Sequence, residues 1–233
     1  MKTGSYLQAG IAGCLAFLAA AALAADSAKP ISLFNGQDLS GWKTVGGKGA
    51  SQWKFGKAVL DPADPKKLNV DGPGEELISP QTGANLATEA SYRDCLLEME
   101  FMMARNSNSG VKMMNIYEIQ LLDSFGKEVP TKGDCGAVYQ ENAPKVNACK
   151  KPGEWQTLVI DFRAPRFDEA GNKTANARFV KVTLNGQVVQ ENVEIAHGTN
   201  VGRNTKEKPA APLYLQGDHG PVAFRNVKLT PLN

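Results

Sequence analysis

Histidine is scarce in this 233-residue chain, which carries only His197 and His219, so imidazole chemistry has two possible addresses. Excess charge is missing as well: 26 Lys and Arg stand against 24 Asp and Glu, a net charge of +2. Both signs are scattered, which excludes the basic footprint of a nucleic-acid binder or a membrane-surface protein and points to a neutral partner. No Cys-x-x-Cys or Cys/His spacing supports a zinc site. The chain also lacks a Gly-x-Ser-x-Gly elbow, a phosphate-binding loop and a dinucleotide fingerprint, so no cofactor is expected. Finally, no long stretch after the N-terminal region carries the i, i+3, i+4, i+7 apolar stripe of a helix, and no internal repeat or low-complexity tract is visible.

The first residues have a different character. Met1-Lys2-Thr3 is a short cationic start, and Tyr6 to Leu23 is rich in Ala, Leu, Ile and Phe without one charge. That is the pattern of an export signal, and the small residues around Ala22, Ala24 and Ala25 predict cleavage after Ala25. Residues 1–25 are therefore read as a signal peptide and 26–233 as a single domain working in the periplasm or outside the cell, with no membrane contact once the signal is cut. Two other readings of the leader are weaker. A retained anchor borders on the roughly 18 apolar residues needed to span a bilayer, but Gly and Gln interrupt it. A lipoprotein signal would use Cys14, yet most of the apolar stretch follows that residue. Cys95, Cys135 and Cys149 remain in the domain. In an oxidising compartment the last two, which bracket a loop-like segment, are a possible pair, with Cys95 left free; the spacing alone leaves the pairing open.

Short strand-like runs punctuated by Gly, Pro, Asn and Asp predict an all-β chain folded as a two-sheet antiparallel sandwich. Cys95, Leu97, Met99, Phe101 and Met103 alternate with Glu98 and Glu100, the period of a half-buried strand. The run Val111 to Asp123 behaves alike, with Val111, Met113, Tyr117, Ile119 and Leu121 on one parity and Lys112, Glu118 and Gln120 on the other. Asn185-Gly186 between two apolar runs is a hairpin turn signal. Methionines at 99, 102, 103, 113 and 114 read as core filling.

Two constellations carry chemistry. Glu118 and Gln120 share a strand face, where a carboxylate beside an amide can hold sugar hydroxyls or remove a proton. Asp218-His219 lies in the Gly-rich turn before a strand, where a carboxylate can tune an imidazole for acid–base work. Each has a structural counter-reading: a solvated strand face for the first, hydrogen-bond capping of a turn for the second. Lys112 shares parity with Glu118, Asp123 points oppositely in a regular strand, and Arg163 ends a strand. Trp42, Trp53, Tyr139 and Trp155 offer faces for sugar stacking, although aromatics in a sandwich are usually core.

Six ordered blocks resemble one family. They are Ser32-Leu33-Phe34-Asn35-Gly36-Gln37-Asp38-Leu39-Ser40-Gly41-Trp42, Asn108-Ser109-Gly110-Val111, Tyr117-Glu118-Ile119-Gln120-Leu121-Leu122-Asp123-Ser124, Pro152-Gly153-Glu154-Trp155-Gln156-Thr157, Phe162-Arg163-Ala164-Pro165-Arg166-Phe167, and Leu215-Gln216-Gly217-Asp218-His219-Gly220-Pro221-Val222-Ala223-Phe224-Arg225-Asn226. Together they resemble the 3-keto-disaccharide hydrolase family, from about Ile31 to the C-terminus. The resemblance implies a concanavalin A-like jelly roll, an exported bacterial protein, and hydrolysis of glycosides whose sugar carries a C3 ketone. The chain departs from the pattern at Gly110-Val111-Lys112-Met113-Met114-Asn115, where relatives often have an Arg-Gly-Arg-like run. Under this resemblance Glu118 is expected as base, His219 held by Asp218 as acid, and Gln120 or Lys112 at the enolate oxygen. Asp123, Arg163 and Tyr139 are expected as further sugar contacts. The rival expectations are a non-catalytic glycan-binding module on the same fold, and a metal-assisted site in which Glu118, Asp218 and His219 hold a divalent cation.

Overall fold

The computed structural model describes residues 28–199 and 202–232 together with Met1. Met1 apart, the expected export signal and its cleavage position lie outside the described residues, as does Cys14. Among the described residues there is no α-helix, and no helix is long and apolar enough to cross a membrane.

Strands are numbered along the chain. The larger sheet has eight: β15 (Gln187–Ile195), β14 (Ala177–Leu184), β11 (Gln156–Arg163), β8 (Cys95–Met103), β17 (Val222–Pro231), β6 (Glu76–Ser79) and β3 (Lys54–Gly56) in spatial order, with β1 (Ile31–Ser32) paired to β17. The smaller sheet runs β10 (Tyr117–Leu122), β9 (Asn108–Met113), β16 (Tyr214–Leu215), β7 (Ala84–Thr88) and β2 (Trp42–Gly47). Two ribbons, β4 (Ala58–Leu60) with β5 (Leu68–Val70) and β12 (Arg166–Phe167) with β13 (Lys173–Ala175), complete the set. Every pairing is antiparallel. The expected all-β, two-sheet jelly-roll sandwich is the architecture found.

Alternation explains which face each sheet buries. Cys95, Leu97, Met99, Phe101 and Met103 of β8 all point into the core while Glu98 stays exposed. Across the interior they join the inward residues of β9 and β10, with Tyr117 packed against Phe162 at 5.5 Å between ring centroids. Fully burying such a side chain stabilises the fold by about 1.5–3 kcal/mol. Met102, of the opposite parity, is buried too, because the β4–β5 ribbon and Trp155 cover that patch of the outer face. Trp42 and Trp53 are core residues whose indole N–H groups donate to the Leu33 and Ala84 carbonyls at 2.6 and 2.8 Å, so neither offers a face to a sugar.

One expectation changes in a way that matters for the site. The run from Val111 to Asp123 is not one strand but a hairpin, turning at Met114 and Asn115, whose φ values are +51° and +67°. Met113 pairs with Tyr117 across three loop residues, so parity is preserved through the turn. Lys112 and Glu118 thereby become direct cross-strand partners on the face away from the core. The second hairpin forms at Asn185-Gly186, both at positive φ, as the type I′ signal requires.

Candidate functional site

The outward face of the smaller sheet is assembled in rows. Glu118, Lys112 and Tyr214 are aligned across β10, β9 and β16, while Gln120 pairs with Gly110 in the next row. Gly110 has a steric reason to be glycine: a Cβ there would stand 2.2 Å from Glu118 Oε1 and 3.0 Å from its Cδ. The missing side chain is the space the carboxylate occupies.

Although this face points away from the core, it is not solvated. Glu118 is 3% exposed, Gln120 2% and Lys112 8%. The cover comes from three loops. Residues 136–139 run along the open edge of β10, with the Gly136 N–H donating to the Gln120 carbonyl at 2.8 Å and the Tyr139 N–H to the Glu118 carbonyl at 3.1 Å. The Thr199 hydroxyl accepts the Glu118 N–H and donates its own O–H to the Ile116 carbonyl, both at 3.1 Å. The 216–221 turn closes the third side. It is tied down by Gln216 N–H to the Gly110 carbonyl (2.9 Å) and Gly217 N–H to the buried Asn85 Oδ1 (2.7 Å). At Gly217 the backbone passes so close to Ala84 and Trp53 that a Cβ would meet them at 2.6 and 2.7 Å.

Electrostatics follow from that enclosure. Burial pushes the Glu118 carboxyl above its ordinary pKa, and the Lys112 ammonium, 3.5 Å from Oε2, together with His219, pulls it back only in part. Lys112 Nζ also lies 5.0 Å from the centroid of the Tyr214 ring. Burial and the charges of Asp218 and Glu118 push the Tyr214 phenol up, which keeps it neutral. For Asp218, burial works against ionisation, but contacts with His219 and Asn85 outweigh it and hold the carboxyl below the usual range. His219 Nδ1 lies 2.6 Å from Asp218 Oδ1. Donation from Nδ1 to that carboxylate requires the Gln216 amide, 3.0 Å from the same nitrogen, to present its oxygen. Nε2 is then the nitrogen left for proton exchange.

These groups line one pocket of about 240 Å³, with Asn108, Lys112, Glu118 and Gln120 on its floor and Tyr139, Tyr214, Gln216, Asp218 and His219 around them. The volume lies just below the usual ~300–1,000 Å³ of small-ligand sites. Larger hollows beside Glu76 and Arg225 (about 350 Å³) and beside the β4–β5 ribbon (about 550 Å³) contain no comparable set of enclosed acid–base groups. Among the described residues no three His, Cys, Asp or Glu side chains form a group able to hold a metal ion.

Glu118, Gln120, Lys112, Tyr139, Asp218 and His219 are thus brought together. Two expected sugar contacts are not. Asp123 caps a loop, accepting the Asn106 N–H at 2.9 Å and the Phe125 N–H at 3.4 Å. Arg163 belongs to the other sheet, where it pairs with Asp161 and donates to the Phe162 carbonyl at 3.1 Å. His197 sits in its loop with Nδ1 3.1 Å from the Gly198 carbonyl and is no part of the pocket. Sequence reasoning missed Tyr214 and Asn85, and it gave no role to Asn108 and Gln216 although both lie in the stretches it singled out. Tyr214 had a detectable signal, since its parity is opposite to that of Leu213 and Leu215 in an apolar run. Asn85 had none: it acts from a short strand by receiving the Gly217 N–H.

A polar pocket on the outer face of a jelly-roll sheet, with a buried carboxylate and amine beside an exposed imidazole, is an arrangement that suits a carbohydrate-active protein. The similarities agree. A crystal structure from Parabacteroides distasonis, described as a candidate glycosyl hydrolase, is 27% identical, covers 87% of this chain and 84% of its own, and superposes with a TM-score of 0.67. A second candidate glycosyl hydrolase from that organism, 19% identical over 88% of this chain and 94% of its own with a TM-score of 0.55, shares the fold. No curated protein matches the sequence significantly. The 3-keto-alpha-glucoside-1,2-lyase-like domain model matches residues 29–230, and the chain belongs to that family.

Proposed function

We propose that this protein cleaves the glycosidic bond of 3-keto-glycosides by elimination followed by hydration, outside the cytoplasm. The observation that carries the reading is the enclosed Glu118 carboxylate, held beside Lys112 in the same pocket as the Asp218–His219 pair. A C3 ketone acidifies the proton on C2. Glu118, its basicity raised by burial, takes that proton, and the electrons move into the C3 carbonyl to give an enolate. Lys112 or Gln120 steadies the enolate oxygen. As the enolate collapses, the C1–O bond breaks and His219 gives a proton to the departing oxygen. Water then adds at C1 while a proton returns to C2, restoring the ketone and completing a net hydrolysis. The rise in the carboxyl pKa suits a base that must compete for a carbon acid, and the ammonium keeps a useful fraction of it ionised.

The family membership and the 27% identical candidate glycosyl hydrolase support glycoside-cleaving chemistry; the C3 ketone is our choice of substrate. Release of the aglycone from a 3-keto-glucoside tests the residue assignment. Loss of turnover in both Glu118→Gln and His219→Ala is expected, and undiminished turnover in both would sink it. Saturable binding of unoxidised glycans without turnover would instead favour a binding module. Activity that survives a strong chelator separates this route from metal-assisted cleavage.

A further inference from the structure

We propose that Cys135 and Cys149 close an intramolecular disulfide that staples the wall of the pocket to the sheet edge. The two are brought together by the fold, not by sequence proximity. The Cys149 thiol points at the Leu122 carbonyl, 3.6 Å away, at the end of β10 where the Cys135 backbone also lies against Ser124. Asn147 and Ser124 lock the approach. Asn147 Oδ1 accepts the Cys149 N–H (3.2 Å) and the Ser124 hydroxyl (3.2 Å), its amide donates to the Ser124 carbonyl (2.6 Å), and the Cys135 N–H points at Ser124 Oγ (3.4 Å). Both thiols are unbridged in this structure.

The roles of the two sulfurs differ. Cys135 is fully buried, whereas Cys149 is half-buried and reachable. Hydrogen bonds from Cys135, Ser124 and Gln156 outweigh burial and hold the Cys149 thiol below an ordinary cysteine. Cys149 is therefore the attacking sulfur. Its thiolate displaces one thiolate from an external disulfide, forming a mixed disulfide. Cys135 then attacks Cys149 Sγ, loses its proton to the second leaving thiolate, and expels it. Two protein thiols are oxidised and one external disulfide is reduced to two thiols. Cys95 does not compete: it is buried in β8, and burial pushes its thiol to about 12.

The loop so closed contains residues 136–139, which run along β10 and carry Tyr139 to the pocket. The staple thus fixes the wall over Glu118 and Gln120. This inference stands on the thiol geometry and is independent of the reaction proposed above.

The test uses the full chain equilibrated in a mixed reduced and oxidised glutathione buffer, then denatured, alkylated and mapped by mass spectrometry. A peptide linking Cys135 to Cys149, with the label on Cys95, is the expected result. Label on both Cys135 and Cys149, or a bridge that includes Cys95, overturns the proposal. Closing a loop of this length should also raise the melting temperature by ~6–12 °C over the reduced protein. That shift is expected to vanish in Cys149→Ser; an equal shift in the variant would equally overturn it.

Discussion

Replacing Gly110 by Ala probes the site through a single methyl group. The new Cβ would lie 2.2 Å from Glu118 Oε1, 3.0 Å from Cδ and 3.1 Å from Cγ. Carbon and oxygen need a little over 3 Å, so the carboxylate must retreat by about 1 Å. The backbone has no reason to move, because Gly110 is in extended strand geometry and the obstacle is the end of a flexible side chain. Misplacing a catalytic group by that distance costs about 100-fold, or about 2.7 kcal/mol of transition-state stabilisation. The folding penalty is expected to be smaller, about 1 kcal/mol, at the lower end of overpacking costs, since only one side chain gives way. Two assays separate these effects: kcat on a 3-keto-glucoside, and the thermal midpoint by calorimetry. A kcat drop of about 100-fold with a melting shift of about 2–4 °C is expected. Turnover within threefold of the parent, in a variant that binds substrate normally, would show that the position of Glu118 does not govern the reaction.

Other outcomes follow from the same contacts. Lys112→Met removes the ammonium that lowers the Glu118 pKa, so the acid limb of kcat/KM should move to higher pH; a limb that stays in place would show that Lys112 does not act on the base. Away from the pocket, Asp94 receives two Arg166 N–H bonds (2.9 and 2.5 Å) and the Ala164 N–H (2.9 Å). Burial opposes its ionisation, but these donors prevail and depress its folded pKa. A depressed carboxyl stabilises the fold above the unfolded value of about 3.9, and that contribution is lost as pH falls through the folded pKa. Asp94→Asn should therefore cost about 1–3 kcal/mol near neutrality and flatten the acid limb of a melting-temperature profile. A parallel profile in the variant would refute that account.

Much of this was visible in the chain before folding. Alternation in Cys95 to Met103 identified a half-buried strand, and Asn185-Gly186 identified its hairpin, because both signals are local. The parity of Lys112, Glu118 and Gln120 identified their common face, but not that the segment turns back on itself at Met114-Asn115. A three-residue loop between paired residues preserves parity, so alternation cannot reveal it. Asp123 and Arg163 were misplaced because proximity to conspicuous residues in the chain says nothing about which loop or sheet edge their hydrogen bonds serve. Enclosure of the polar face was also hidden. It depends on residues 136–139, Thr199 and the 216–221 turn, all of which arrive from distant parts of the chain. Asn85, which anchors Gly217, belongs to that same long-range class.

The measurement closest to the central claim is isotope incorporation at C2. A 3-keto-glucoside is cleaved in deuterium oxide, and the 3-keto sugar product is compared with an enzyme-free control. If Glu118 removes the C2 proton and solvent later returns one, the product carries deuterium at C2 above the control, and Glu118→Gln abolishes the excess. Efficient cleavage with no excess deuterium at C2 would contradict the account.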